Sequence, residues 1–220
     1  MASMDKPNIL LLCLSYNDFL DELYATLFNK LLKVANIKRA KTASAAINAL
    51  TSTTFKAIII ADEGLTERDT ATREVFTRVK SYIENGGFAI VGLQFPSFTA
   101  MDKFTAFFQA FGLPWKHGDY HRTTFQFNPS ATLPESAKPA SLPGPFSMKV
   151  LHIQNARPQE KIFLPVEGAV MQSHVFAPVY VDQAQAAVAG ARIGLGHLVY
   201  CGDVNGEDGS NQLLLALCGF

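Results

Sequence analysis

Only three of the 220 residues are cysteine, Cys13, Cys201 and Cys218, an odd number that cannot pair completely and that excludes a disulfide-built scaffold. A reducing compartment is expected, and the cytoplasm fits best. Charge is scarce too, at 17% of residues, and nineteen basic side chains balance nineteen acidic ones. With no net field to attract phosphate, neither nucleic acid nor an anionic membrane is an expected partner. Long apolar runs are also missing. Runs such as Ile9 to Leu14 and Ala57 to Ala61 are strand-sized and well short of the ~20 residues needed to cross a bilayer. The start of the chain, Met1-Ala2-Ser3-Met4-Asp5-Lys6-Pro7, leads into the first of these runs and then into a helix pattern in place of a small-residue cleavage site. No secretory signal is expected.

What is present is core material. Hydrophobic residues make up 48% of the chain, enough to fold residues 1–220 as a single domain. Asn8 to Leu14 reads as a strand covered on both faces, and Phe19, Leu20, Leu23, Leu27, Leu31 and Val34 then recur at helical spacing. Ile37 to Lys41 suggests a second strand, Ser44 to Leu50 a short helix, and Phe55 to Ala61 a third strand. Val75, Phe76, Val79, Tyr82 and Ile83 mark a helix that stops at Asn85-Gly86-Gly87, before a fourth strand at Phe88 to Leu93. Phe98, Met101, Phe104, Phe107, Phe108 and Phe111 give one more amphipathic helix. Alternating strands and helices predict a three-layer α/β fold with a mostly parallel sheet, flavodoxin-like in plan.

From Trp115 to Pro165 the pattern loosens. Residues 115–165 read as a peripheral insertion with antiparallel strands, including Thr123 to Phe127 and Lys149 to Ile153. Pro129 to Pro145 reads as an extended surface crossing, with a lid over the strand ends as the alternative. Ala186 to Ile193 and His197 to Cys201 form a hairpin about Gly194-Leu195-Gly196, and Asn211 to Cys218 closes the chain as a helix.

The run Ile83-Glu84-Asn85-Gly86-Gly87-Phe88-Ala89-Ile90-Val91-Gly92 resembles the helix, glycine turn and strand of ThuA-like members of the class I glutamine amidotransferase-like superfamily. Ala187 to Asp203 is similar to that superfamily's closing hairpin. The resemblance implies the superfamily fold, in which catalytic members carry a cysteine on a sharp strand-to-helix turn. The corresponding stretch here is Gly92-Leu93-Gln94-Phe95-Pro96, with glutamine where the thiol is expected. After the closing strand, Gly202-Asp203-Val204-Asn205-Gly206-Glu207 contains no triad histidine. Thiol-dependent amidotransferase chemistry is therefore not expected.

Ligands of open α/β sheets bind beyond the carboxyl ends of the strands. That rule nominates Asp62, Glu63 and Asp203 as acid or base groups, and Ser15, Tyr16, Asn17, Gln94, Asn205 and Glu207 as ligand-binding groups. Taken alone, each reads first as a turn or cap residue. His117, His121, His152, His174 and His197 show no metal-ligand spacing, and no phosphate-binding or dinucleotide glycine loop is present, so neither metal nor cofactor is expected. Three functions remain open: a catalytically altered amidotransferase-like domain binding a small polar metabolite, a hydrolase or isomerase using carboxylates on a sugar-like or acyl substrate, and a protein-interaction module or homodimer using the aromatic helix.

Overall fold

A computed structural model describes residues 6–173, 175 and 177–220; His174, of the five histidines above, and the first five residues lie outside them. One nine-stranded sheet runs through the molecule. Its parallel half comprises β1 (Asn8–Leu12), β2 (Asn36–Ala40), β3 (Ala57–Ile60), β4 (Phe88–Val91) and β9 (Gly196–Cys201), in the spatial order β2-β1-β3-β4-β9. The antiparallel half continues from β9 through β8 (Val188–Ile193), β7 (Lys161–Pro165) and β5 (Lys116–Phe127) to β6 (Phe146–Gln154). The antiparallel strands expected between 115 and 165 are thus continuous with the main sheet. They also curl: β6 turns back to bridge Ala186, before β8, and Asp203, after β9.

Strand alternation sorts the parallel strands onto two cores. Leu10, Leu12, Ile58, Ile60, Ala89 and Val91 face α3 (Ala43–Ser52), α4 (Thr70–Glu84) and α6 (Met101–Ala110). Ile9, Leu11, Ile59 and Ile90 face α2 (Ala25–Val34) and α7 (Asp208–Leu217). These are the three layers of an α/β fold. Phe95, Phe104, Phe107 and Phe108 interlock on the first face, with contacting ring centroids 5.0 to 6.2 Å apart. Each such pair adds about 0.5–1.5 kcal/mol beyond its area burial.

Two helices expected as single elements are broken. α1 (Phe19–Leu23) is separated from α2 by Tyr24, and the aromatic run divides into α5 (Phe95–Phe98) and α6. Four of its six apolar residues, Phe104, Phe107, Phe108 and Phe111, are buried, which leaves Phe98 and Met101 half exposed. The aromatic helix therefore packs chiefly into the core. Residues 128–145 run along α7, where the Ser136 hydroxyl donates to the Leu217 carbonyl and the Lys138 N–H donates to that of Ala216. That contact is at the amino ends of the strands, beside Phe55 and Gly87, so the proline-rich tract crosses the surface and does not cover the carboxyl ends.

Candidate functional site

The sheet order reverses between β1 and β3, which makes their carboxyl ends the switch point where this architecture leaves a crevice. Here the crevice is filled by backbone. The turn after β3, Glu63–Thr66, folds onto the exit of β1 so closely that a Cβ on Gly64 would lie 2.5 Å from the Ser15 nitrogen. Asp62 begins that turn. Its Oδ1 accepts from the Gly64 N–H at 3.1 Å, while Oδ2 is buried without a hydrogen-bond partner. Burial pushes the Asp62 carboxyl up to about 6, against the opposing pull of the nearby Ser15 and Gly64 N–H groups, of which only that of Gly64 makes a hydrogen bond. Glu63, half-buried, takes part through its carbonyl, which accepts from the Thr66 hydroxyl.

On the next strand exit, Gln94 is buried, its N–H donates to the Ala61 carbonyl, and its Nε2 finds no partner. Leu93, not Gln94, carries the positive φ of the sharp turn, at 56°. The position strained in the manner of a nucleophile elbow therefore holds an aliphatic side chain. None of the three cysteines substitutes for the missing thiol. All are buried and free, and burial pushes each thiol up to about 12, so the reactive thiolate is scarce at neutral pH.

The remaining nominated residues hold local structure. Asp203 Oδ1 accepts from the Asn205 N–H at 2.9 Å and Oδ2 from the Glu207 N–H at 2.8 Å, so its carboxylate ties the loop that leads into α7. Asn205 itself is exposed, and the Glu207 carboxylate pairs with the Arg122 guanidinium of β5. Tyr16 donates its hydroxyl to Asp21 at 2.6 Å, and Arg39 grips the same carboxylate at 2.6 and 2.8 Å. Asn17 is exposed and its Oδ1 accepts from the Phe19 N–H, an Asx turn at the start of α1.

Sequence reasoning did not single out Tyr24. Its hydroxyl is buried without a partner, and its pKa is raised by burial and then by the charge of Asp203. Nothing in the sequence distinguishes it from the periodic apolar residues of a helix. The walls of four surface concavities of about 240 to 680 Å3 do not include Asp62, Gln94 or Asp203. Among the described residues no three of His, Cys, Asp and Glu gather as a metal site, and no helix is long and apolar enough to cross a membrane.

Comparison of the whole chain with solved structures gives two similar folds of similar size. A ThuA-like protein from Bacteroides uniformis superposes with a TM-score of 0.57, covering 99% of this chain and 91% of that one at 13% identity. A ThuA-like protein from Parabacteroides merdae gives 0.59, 97%, 89% and 11%. The chain has a ThuA-like fold. No protein-family model matches the sequence, and no curated protein matches it either. A β-galactosidase from Bacillus circulans sp. alkalophilus is also similar, the match covering 96% of this chain and 30% of that one, with a TM-score of 0.50 and 10% identity. At such identities the likeness concerns fold, and function has to be argued from the site.

Proposed function

We propose that this ThuA-like fold binds a small polar metabolite at the carboxyl ends of β3 and β4, with Asp62 and Gln94 as its hydrogen-bonding groups and without thiol chemistry. One observation carries the reading. An acceptor, Asp62 Oδ2, and a donor, Gln94 Nε2, sit buried and unpartnered at the exits of adjacent parallel strands. Buried polar atoms are nearly always hydrogen-bonded, so two that lack protein partners at the sheet's ligand-binding end are suited to a ligand. Entry requires the Glu63–Thr66 turn to lift. Asp203, both of whose oxygens accept backbone N–H groups, supports the site through loop geometry and not through contact with the ligand.

A thermal-melt screen of the purified protein against amino acids, sugars, acyl compounds and nucleotides tests this. A ligand that prefers the native state raises the melting temperature, by an amount equivalent to about 2.7 kcal/mol at a hundredfold excess over Kd. The expected result is a shift with one compound class that is lost in Gln94→Ala and reduced in Asp62→Asn. Absence of any shift, or a shift indifferent to both substitutions, overturns the reading.

The second reading, acid/base catalysis on a sugar-like or acyl substrate, is favoured by one feature, the Asp62 carboxyl raised to about 6. A carboxyl that titrates at about 6, nearer neutrality than an ordinary aspartate, suits proton transfer. Turnover of a compound found in the screen, abolished in Asp62→Asn with binding retained, separates catalysis from binding alone.

A further inference from the structure

Beside the exit of β9 lies a concavity of about 680 Å3 whose wall includes Tyr120, His121 and Arg122 of β5, Lys149 of β6, and Met171 and Gln172 of the segment after β7. Its place in the fold is fixed by two contacts. The Val204 N–H donates to the Lys149 carbonyl, and Glu207 pairs with Arg122, so the concavity opens next to the loop between β9 and α7.

Two cations converge on this wall in a chain whose formal charge sums to zero. They are held differently. The Arg122 guanidinium donates to Glu207 through Nη2 and to the Ser147 hydroxyl at 3.4 Å through Nη1, which fixes the plane of its fork. The Lys149 ammonium lies 4.9 Å from the centroid of the Tyr120 ring, and no carboxylate among the described residues lies within ion-pair distance of it. Tyr120 is itself 53% exposed, which leaves ring surface available for stacking.

The other polar side chains of the wall are committed elsewhere. Gln172 accepts from Ser147 at 2.7 Å and donates to Thr124 at 3.1 Å. His121 turns its ring inward, stacked on the buried His152 with centroids 4.4 Å apart, which leaves Lys149, Arg122 and Tyr120 to meet a ligand. Cationic groups in a cleft with low-dielectric walls focus the field and raise the local concentration of anions.

We propose that this concavity binds a small organic anion bearing a flat apolar group, with Lys149 and Arg122 holding the carboxylate or phosphate and Tyr120 covering the flat part. Glu207 is then the internal competitor that keeps Arg122 oriented until the ligand's own oxygens engage it. The inference stands apart from the Asp62–Gln94 reading, since the two share no side chain.

Benzoate and phenyl phosphate are suitable probes because they share a ring and differ in head group. Each would be titrated calorimetrically into the full chain at low salt, then in Lys149→Met and Tyr120→Ser. Lys149 is half-buried and Tyr120 exposed, so both variants are expected to fold, with circular dichroism as the check. The expected result is saturable binding of at least one probe with Kd on the order of 1 mM. Affinity should fall at least about fivefold in Lys149→Met and weaken as salt rises. Preference for benzoate assigns a carboxylate ligand, and preference for phenyl phosphate assigns a phosphate ester. No saturable binding of either probe, or binding unchanged in both variants, overturns the proposal.

Discussion

Asp62 and His152 bear opposite consequences for stability because burial moves their protonation in opposite senses. In the folded chain Asp62 is raised from 3.8 to about 6, so it holds a proton that the unfolded chain has already released. Stability from this group is present below about pH 3.8 and is lost as pH rises through 6. His152 is lowered from 6.5 to about 4, with Nδ1 against the Asp119 carbonyl at 2.9 Å. It costs nothing above pH 6.5, and stability falls as pH drops from there toward 4, because only the unfolded chain takes the proton. Asp62→Asn isolates the first effect. The amide oxygen still accepts from Gly64 and no buried charge remains, so the variant is expected to be more stable than the parent at pH 7 by up to about 3 kcal/mol. Urea unfolding at pH 7 and pH 4 checks this: the gain should shrink toward zero at pH 4. A gain of equal size at both values would mean that the Asp62 carboxyl titrates alike in the folded and unfolded chain, with no upward shift on folding.

Loops that meet at a switch point depend on residues without side chains, and Gly64 is the decisive case. An added Cβ would fall 2.5 to 2.6 Å from Ser15 N and Leu14 C, which are backbone atoms that cannot rotate away. Gly64→Ala is therefore expected to separate the exits of β1 and β3 at a cost of about 1–3 kcal/mol. Gly144→Ala, where a Cβ meets nothing within 4 Å, is the control that should change little. Equal unfolding midpoints for the two variants in urea would remove the close approach from the account of this site. The elements around this loop differ in how well the sequence announces them. β1, β3 and β4 are buried on both faces, so they read as continuous apolar runs. The first half of β5 is largely solvent-facing and bulged between His117 and Tyr120, and β7 ends in Pro165; neither carries a clean period, and both were missed in part or whole. Breaks at Tyr24 and after Phe98 escaped because apolar spacing continues across them. At the strand ends, the rule nominates Asp62 and Asp203 alike. It could not tell Asp203, saturated by two backbone N–H groups, from Asp62, which keeps one oxygen free, because that distinction lies in loop conformation.

At the scale of the whole molecule, the question is whether the curled antiparallel strands of 115–165 melt with the parallel core. Chains of this length often unfold through intermediates, so cooperativity has to be argued from contacts. One apolar cluster contains Ile9, Leu11 and Ile59 from the parallel strands together with Phe125, Met148 and Phe163 from the antiparallel ones. Trp115, the only tryptophan, packs against Phe108 of α6 at 5.3 Å and donates from Nε1 to the buried Glu160 at 3.0 Å. Removing the antiparallel strands would strip apolar cover from both cores, at roughly 25 cal/mol per Å2 exposed. The chain is expected to unfold as one domain, with Trp115 fluorescence and far-ultraviolet circular dichroism giving coincident urea transitions. A fluorescence midpoint clearly below the dichroism midpoint would instead make residues 115–165 a separately melting lobe and overturn the one-domain reading.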